Sequence, residues 1–140
     1  MKTEISEITG NFSKDQNRDI RCSFVLAEDS KDTITVNPVG SIDSYNNEYF
    51  QGKMVNLLDN GYINLVFNLS STKYVSAVGI GAFVHVFEKA KKHAGRVIIK
   101  NMQKQVLEVF QLPGFSEYFS IDADNGSAVL EKSSKNQVVD

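Results

Sequence analysis

The chemically suggestive stretch of this chain runs Ser70-Ser71-Thr72-Lys73-Tyr74-Val75-Ser76-Ala77-Val78-Gly79-Ile80-Gly81. Four serine and threonine hydroxyls precede two glycines, and the apolar spacing beyond them predicts a helix from about Ala77 to Ala94. The first N–H groups of a helix lack intrahelical acceptors, and the helix dipole puts partial positive charge there. An anion, or a phosphate carried by a neighbouring hydroxyl, is favoured at such a point. Gly79-Ile80-Gly81 also touches the dinucleotide-binding pattern, but Val84 stands where its third glycine belongs. There is no Walker-type phosphate loop. The plainer role for Gly79 and Gly81 is close backbone packing at the helix start, at some cost in helix propensity. The plainer role for Ser76 is to cap that helix.

No catalytic set emerges. A nucleophile needs a base within reach and a group to orient the base. His85 lies about two turns along the helix that Ser76 would cap, too far for a direct hydrogen bond. His85 and His93 are eight residues apart, without cysteines or paired carboxylates to complete a metal site. Cys22 is the only cysteine, so no intramolecular disulfide forms, and in a β-rich run it reads as a small core hydrophobe. Asp43 and Ser44 read as helix caps. The chain is expected to be no enzyme and to carry no metal or cofactor.

The elements that must position these residues follow from composition and periodicity. With 140 residues, 41% hydrophobic and 23% charged, the chain has the balance of one soluble globular domain. Fifteen basic residues against seventeen acidic ones leave a net charge of −2, which argues against nucleic acid as a partner. The longest apolar run, Ala77 to Val86, is interrupted by glycines and too short to cross a bilayer. The N-terminus has no secretory pattern. A cytoplasmic monomer, with no membrane partner, is expected.

Residues 1–19 are polar, show no periodic apolar face and are expected to be a tail; residues 133–140 read the same way. The domain is expected over residues 20–132. Arg21–Ala27 and Thr33–Val39 predict an antiparallel hairpin, with Pro38 at a strand end or edge. Ser44–Asn60 predicts a helix from the spacing of Tyr45, Tyr49, Phe50, Met54, Leu57 and Leu58. Tyr62–Leu69 predicts a buried strand, and residues 70–76 a polar connection. Gly95 is expected to end the second helix. Arg96–Lys100 predicts a strand, Met102–Leu112 a helix, Phe119–Ile121 a last strand and Ala123–Lys132 a last helix. Alternation of strand and helix implies an α/β fold with a largely parallel or mixed sheet.

The segments GSIDSYN, INLVFNLSSTKYVSAVGIGAF and RVIIKNMQKQVLEVFQLPGFSEYF, in this order and spacing, resemble the STAS domain of bacterial anti-sigma factor antagonists. The resemblance covers about Cys22 to Leu130. It implies a four- or five-stranded mixed sheet with about four helices packed mainly on one face. It also implies partner switching. Such an antagonist binds an anti-sigma factor, often a serine kinase, and frees a sigma factor. Phosphorylation of a serine at the start of the second helix breaks the complex, and a phosphatase restores it. The family pattern there reads Asp-Ser-Ser/Ala-Gly-Leu-Gly. Gly79, Ile80 and Gly81 match it, Ser76 stands at the Asp, and Ala77 stands at the phosphorylated serine. Asp43 matches the family's aspartate after the second strand.

The resemblance therefore marks Asp43, Ser44, Ser76, Ala77, Gly79 and Ile80 as the partner-binding surface, with Ala77 at the switch position. Ala77 has no hydroxyl. Three readings stand open: an antagonist that cannot be phosphorylated and is always competent to bind, an acceptor shifted to Ser76, or an alanine introduced in place of a natural serine. A regulatory STAS subunit of another assembly, for lipid transport or stress signalling, is the alternative function. A small nucleotide hydrolase ranks third.

Overall fold

The computed structural model describes residues 4–9 and 20–130. Period-two alternation builds the sheet. In β1 (Ile20–Leu26) and β2 (Thr33–Ile42), Ile20, Cys22, Ile34, Val36 and Ile42 are buried while Arg21, Ser23 and Val25 are exposed. The same alternation buries Leu65 and Phe67 of β3 (Asn64–Asn68) and Val97 and Ile99 of β5 (Arg96–Lys100). One face of the sheet is thus apolar and must be covered. The helices α2 (Asn47–Asp59), α3 (Ala77–Lys92) and α4 (Lys104–Phe110) bury Met54, Leu57, Val86 and Val106 with it in one hydrophobic core.

With β4 (Thr72–Val75), β6 (Phe119–Asp122) and β7 (Ser127–Leu130) the sheet has seven strands, in the order β1-β2-β3-β5-β7-β6, and β4 pairs with β2 off this path. β2, β3 and β5 run parallel, as do β2 and β4, while β1–β2, β5–β7 and β6–β7 are antiparallel. The mixed α/β class is as expected, but the strand count exceeds the expected four or five.

Two segments account for the excess. Residues 72–75, expected as polar connection, form β4; its two middle residues, Lys73 and Tyr74, are both exposed, so no alternation marks it as a strand. It is held by parallel pairing to β2 at Gly40↔Thr72, Ser41↔Tyr74 and Ile42↔Val75. Residues 123–130, expected within a helix, are a turn and β7. Gly126, at φ +62°, helps reverse the chain so that Ala128 and Leu130 point inward while Ser127 and Val129 do not. The buried residues there repeat every two positions, a run too short to be told from a helical stripe by sequence alone.

Pro38 lies within β2, where its parallel partner changes from β3, whose last pair is Val36↔Phe67, to β4, whose first is Gly40↔Thr72. Gly40 N–H donates to Ser71 O on that side, so the Pro38 nitrogen, two residues earlier, faces the step between the two strands. The missing N–H interrupts no ladder, and the Pro38 carbonyl accepts the buried Thr72 hydroxyl at 2.9 Å.

One extra helix and one helix end also differ from expectation. Residues 5–9, expected in the tail, form a short helix, α1 (Ile5–Thr9), whose Ile8 and Thr9 are buried against the core. Five residues are too few to display a period. The rest of that tail, residues 10–19, and the expected tail at 133–140 lie outside the described residues. At the end of α3 the left-handed residue is Ala94, at φ 61°, not Gly95. Gly95 is needed because a Cβ there would overlap the Ile63 carbonyl.

Aromatic rings tie the layers together. Phe83 of α3 lies 5.5 Å from Phe50 of α2, 5.0 Å edge-on from Phe67 of β3 and 5.6 Å from Phe110 of α4, and Phe110 continues to Phe119 of β6 at 5.1 Å. Phe83 is fully buried at the centre of this chain. Truncating it removes three ring contacts and leaves a cavity, so Phe83→Ala should cost about 3–5 kcal/mol. Urea denaturation checks this; a loss below about 1 kcal/mol would show that the rings do not form one packed unit.

Candidate functional site: the α2 and α3 N-termini

The site is built where β2 and β4 end side by side. Ile42 and Val75 are in register, and the next residue, Ser76, donates its N–H to the Ile42 carbonyl at 2.9 Å. Ser76 is extended (φ −78°, ψ 171°) and its Oγ accepts the Gly79 N–H at 3.1 Å, which satisfies one orphan donor of the first turn. Ser76 is thus the N-cap, as expected. Helix α3 can open this close to β2 because residue 79 is glycine: a Cβ there would sit 2.7 Å from the Ile42 carbonyl oxygen and 2.9 Å from Val75 Cγ1. Gly81 has no such need, since a Cβ there meets nothing within 4 Å. The packing reading holds for Gly79 and fails for Gly81.

On the other side, Asp43 follows Ile42 directly. Its Oδ1 accepts the N–H groups of Tyr45 at 2.9 Å and Asn46 at 3.3 Å. Asn46 returns the bond: its Oδ1 accepts the Asp43 N–H at 3.1 Å, and its Nδ2 donates to Ser41 O at 2.8 Å. Asp43 therefore caps a turn over residues 43–46, and α2 begins at Asn47 rather than at Ser44. Asn46 is 1% exposed and was not singled out from the sequence. Its signal is the reciprocal spacing Asp43-x-x-Asn46, which has the logic of a capping box.

The residues marked from the sequence divide by exposure. Ala77 is exposed at the first position of α3, beside Val78 at 50% exposure, and Ser44 and Tyr45 are exposed on the neighbouring turn. Asp43 and Ser76 are half-buried, with Asp43 Oδ1 and Ser76 Oγ engaged as described. Ile80 and Gly79 are buried and cannot meet a partner directly. Ile80 turns into the core because it lies on the same side of α3 as Phe83 and Phe87. Gly81 and His85, four and eight residues beyond Ala77, continue the exposed stripe.

Burial pushes the Cys22 thiol well above its usual range, which keeps it protonated and unreactive. Among the described residues no three His, Cys, Asp or Glu side chains gather as a metal site, and no helix is long and apolar enough to cross a membrane.

Comparison with known proteins places this geometry in a family. The STAS domain model matches residues 25–128. The chain is a member of the STAS domain family. The anti-sigma-B factor antagonist of Bacillus subtilis (strain 168) is 28% identical over 105 residues, covering 75% of this chain and 95% of that protein. Among solved structures, the anti-sigma factor antagonist SpoIIAA in its unphosphorylated form superposes with a TM-score of 0.57 at 21% identity, over 66% of this chain and 82% of that one. An anti-sigma factor antagonist from Mycobacterium paratuberculosis gives a TM-score of 0.57 at 20% identity, over 69% and 80%. These structures share the fold.

The two glycines of α3 give opposite expectations. Gly81→Ala fills open space in a helix interior and should stabilise by about 0.5–1 kcal/mol. Gly79→Ala forces α3 away from Ile42 and should destabilise by about 1–3 kcal/mol. Thermal melts of both variants check this; a stabilising Gly79→Ala would mean that α3 does not depend on this close approach.

Proposed function

We propose that this chain is an anti-sigma factor antagonist that binds an anti-sigma factor of the serine-kinase type through the surface around Asp43, Ser44, Ser76 and Ala77, and that it lacks the usual phosphate acceptor. The observation that carries the reading is the environment of Ala77. Position 77 is exposed at the first residue of α3, where the family resemblance places the phosphorylated serine, and its methyl group can take no phosphate. The named relative from Bacillus subtilis supports the antagonist role. Ser76 is the poorer acceptor, because its hydroxyl is engaged as the N-cap and is half-buried.

The physical consequence is a surface of constant charge. A phosphate would add about −1.5 to −2 charge. The α3 dipole favours that charge within the protein, by about 0.3–1 kcal/mol for a carboxylate. A partner packed over Val78 and Tyr45 would instead have to desolvate it. Fold and complex thus respond to charge with opposite signs, which is what a binding switch needs. With alanine at 77 the chain stays in the binding state, and reversal by a phosphatase has nothing to act on at that position.

Calorimetry with the anti-sigma serine kinase encoded in the same genome tests this. Ala77→Asp should lower affinity at least tenfold while its melting temperature stays level or rises. Equal affinity for the two chains would overturn the placement of the interface. Incubation with the kinase and ATP should leave the chain unmodified at residue 76 and modify Ala77→Ser at 77, located by phosphopeptide mass spectrometry. Phosphate on Ser76 of the unsubstituted chain would restore a working switch there.

A further inference from the structure

We infer that Gln103 and Gln105 are positioning residues that hold β4, and through it the start of α3, by standing in for a neighbouring strand. β4 is four residues long and, among the described residues, pairs only with β2. Its other edge presents carbonyl oxygens that a strand would ordinarily satisfy. Gln103 Nε2 donates to both Ser70 O and Thr72 O at 3.1 Å, and Gln105 Nε2 donates to Lys73 O at 3.1 Å. The two amides are themselves joined, Gln105 Nε2 to Gln103 Oε1 at 3.0 Å. Three main-chain acceptors, two in β4 and one just before it, are thereby taken by one pair of side chains.

The base of this clamp is firm. Met102, just before Gln103, donates its N–H to Gly126 O at 2.7 Å, and Val106 and Phe110 bury α4 in the core. The clamp therefore links a rigid part of the sheet to a strand with three register pairs of its own. Ser76 follows β4 directly, so any slip of β4 moves the Ser76–Ile42 and Gly79–Ser76 bonds that set the α3 N-terminus. Gln103 does not cap α4 with its side chain, which leaves the amide committed to β4. The functional weight of the clamp rests on the reading of the α3 start as the partner surface; its structural effect does not.

The double variant Gln103→Met, Gln105→Met keeps side-chain length and helix propensity and removes every donor. Hydrogen–deuterium exchange resolved by NMR should show about tenfold lower protection at the Ser76 and Gly79 amides, with Leu65 and Val97 of the central strands unchanged and the melting temperature within a few degrees. Gln103→Met alone should give an intermediate loss, because Gln105 still holds Lys73 O. Unchanged protection at Ser76 and Gly79, or an equal loss at Leu65 and Val97, would overturn the positioning role. Affinity for the same-genome anti-sigma kinase should fall several-fold in the double variant. If protection falls while affinity holds, the clamp stands and the α3 start is not the partner surface.

Discussion

The site depends on the carbonyl of Ile42. It accepts the Ser76 N–H and faces Gly79 at a distance that admits no Cβ. Through this one acceptor the end of β2, the end of β4 and the first turn of α3 become a single rigid corner. Asp43, the next residue along, then caps its own turn and sets the start of α2 beside that of α3. Two helix N-termini meet on one surface because one backbone oxygen is shared between a strand, a cap and a close packing contact. The ring chain through Phe50, Phe67, Phe83 and Phe110 holds the bodies of the same helices on the sheet below.

Much of this was legible in the sequence, for physical reasons that differ by element. The strands at 20–26, 33–42 and 96–100 declare themselves by alternation or by apolar β-branched runs, and α2 and α3 by apolar spacing over three to four turns. Ser76 as a cap and Gly79 as a packing glycine follow from residue type alone. What was missed depends on contacts remote in sequence. β4 exists because β2 offers it an edge, and the pair Gln103 and Gln105 keeps it there from thirty residues away. β7 carries a period-two signal of four residues, too short to outweigh a helix reading. Ile80 was assigned to the surface by its motif, whereas its place on the helical wheel puts it in the core. Asn46 has only the spacing Asp43-x-x-Asn46 as a signal, and its burial shows only once Asp43 and Ser41 are placed around it.

Electrostatics sets what a charge at the α3 N-terminus would do. An exposed position at the first residue of a helix tolerates added negative charge, so the fold survives modification that a complex would not. The same corner that rigidifies Ser76 engages its hydroxyl with the Gly79 N–H, while position 77 next to it is exposed. Under the proposed function, alanine at 77 would pass control of this chain from its own covalent state to its abundance or to competition for the partner.

Mapping the contact surface directly is the most telling measurement. Titration of the isotope-labelled chain with the same-genome anti-sigma kinase, followed by amide chemical shifts, should move Asp43–Asn46 and Ser76–His85. It should leave Val66, Ile98 and Val129, on the opposite face of the sheet, in place. Shifts centred on Val66, Ile98 and Val129, with Ser76 to Gly81 unmoved, would contradict the assignment of the α2 and α3 N-termini as the partner surface.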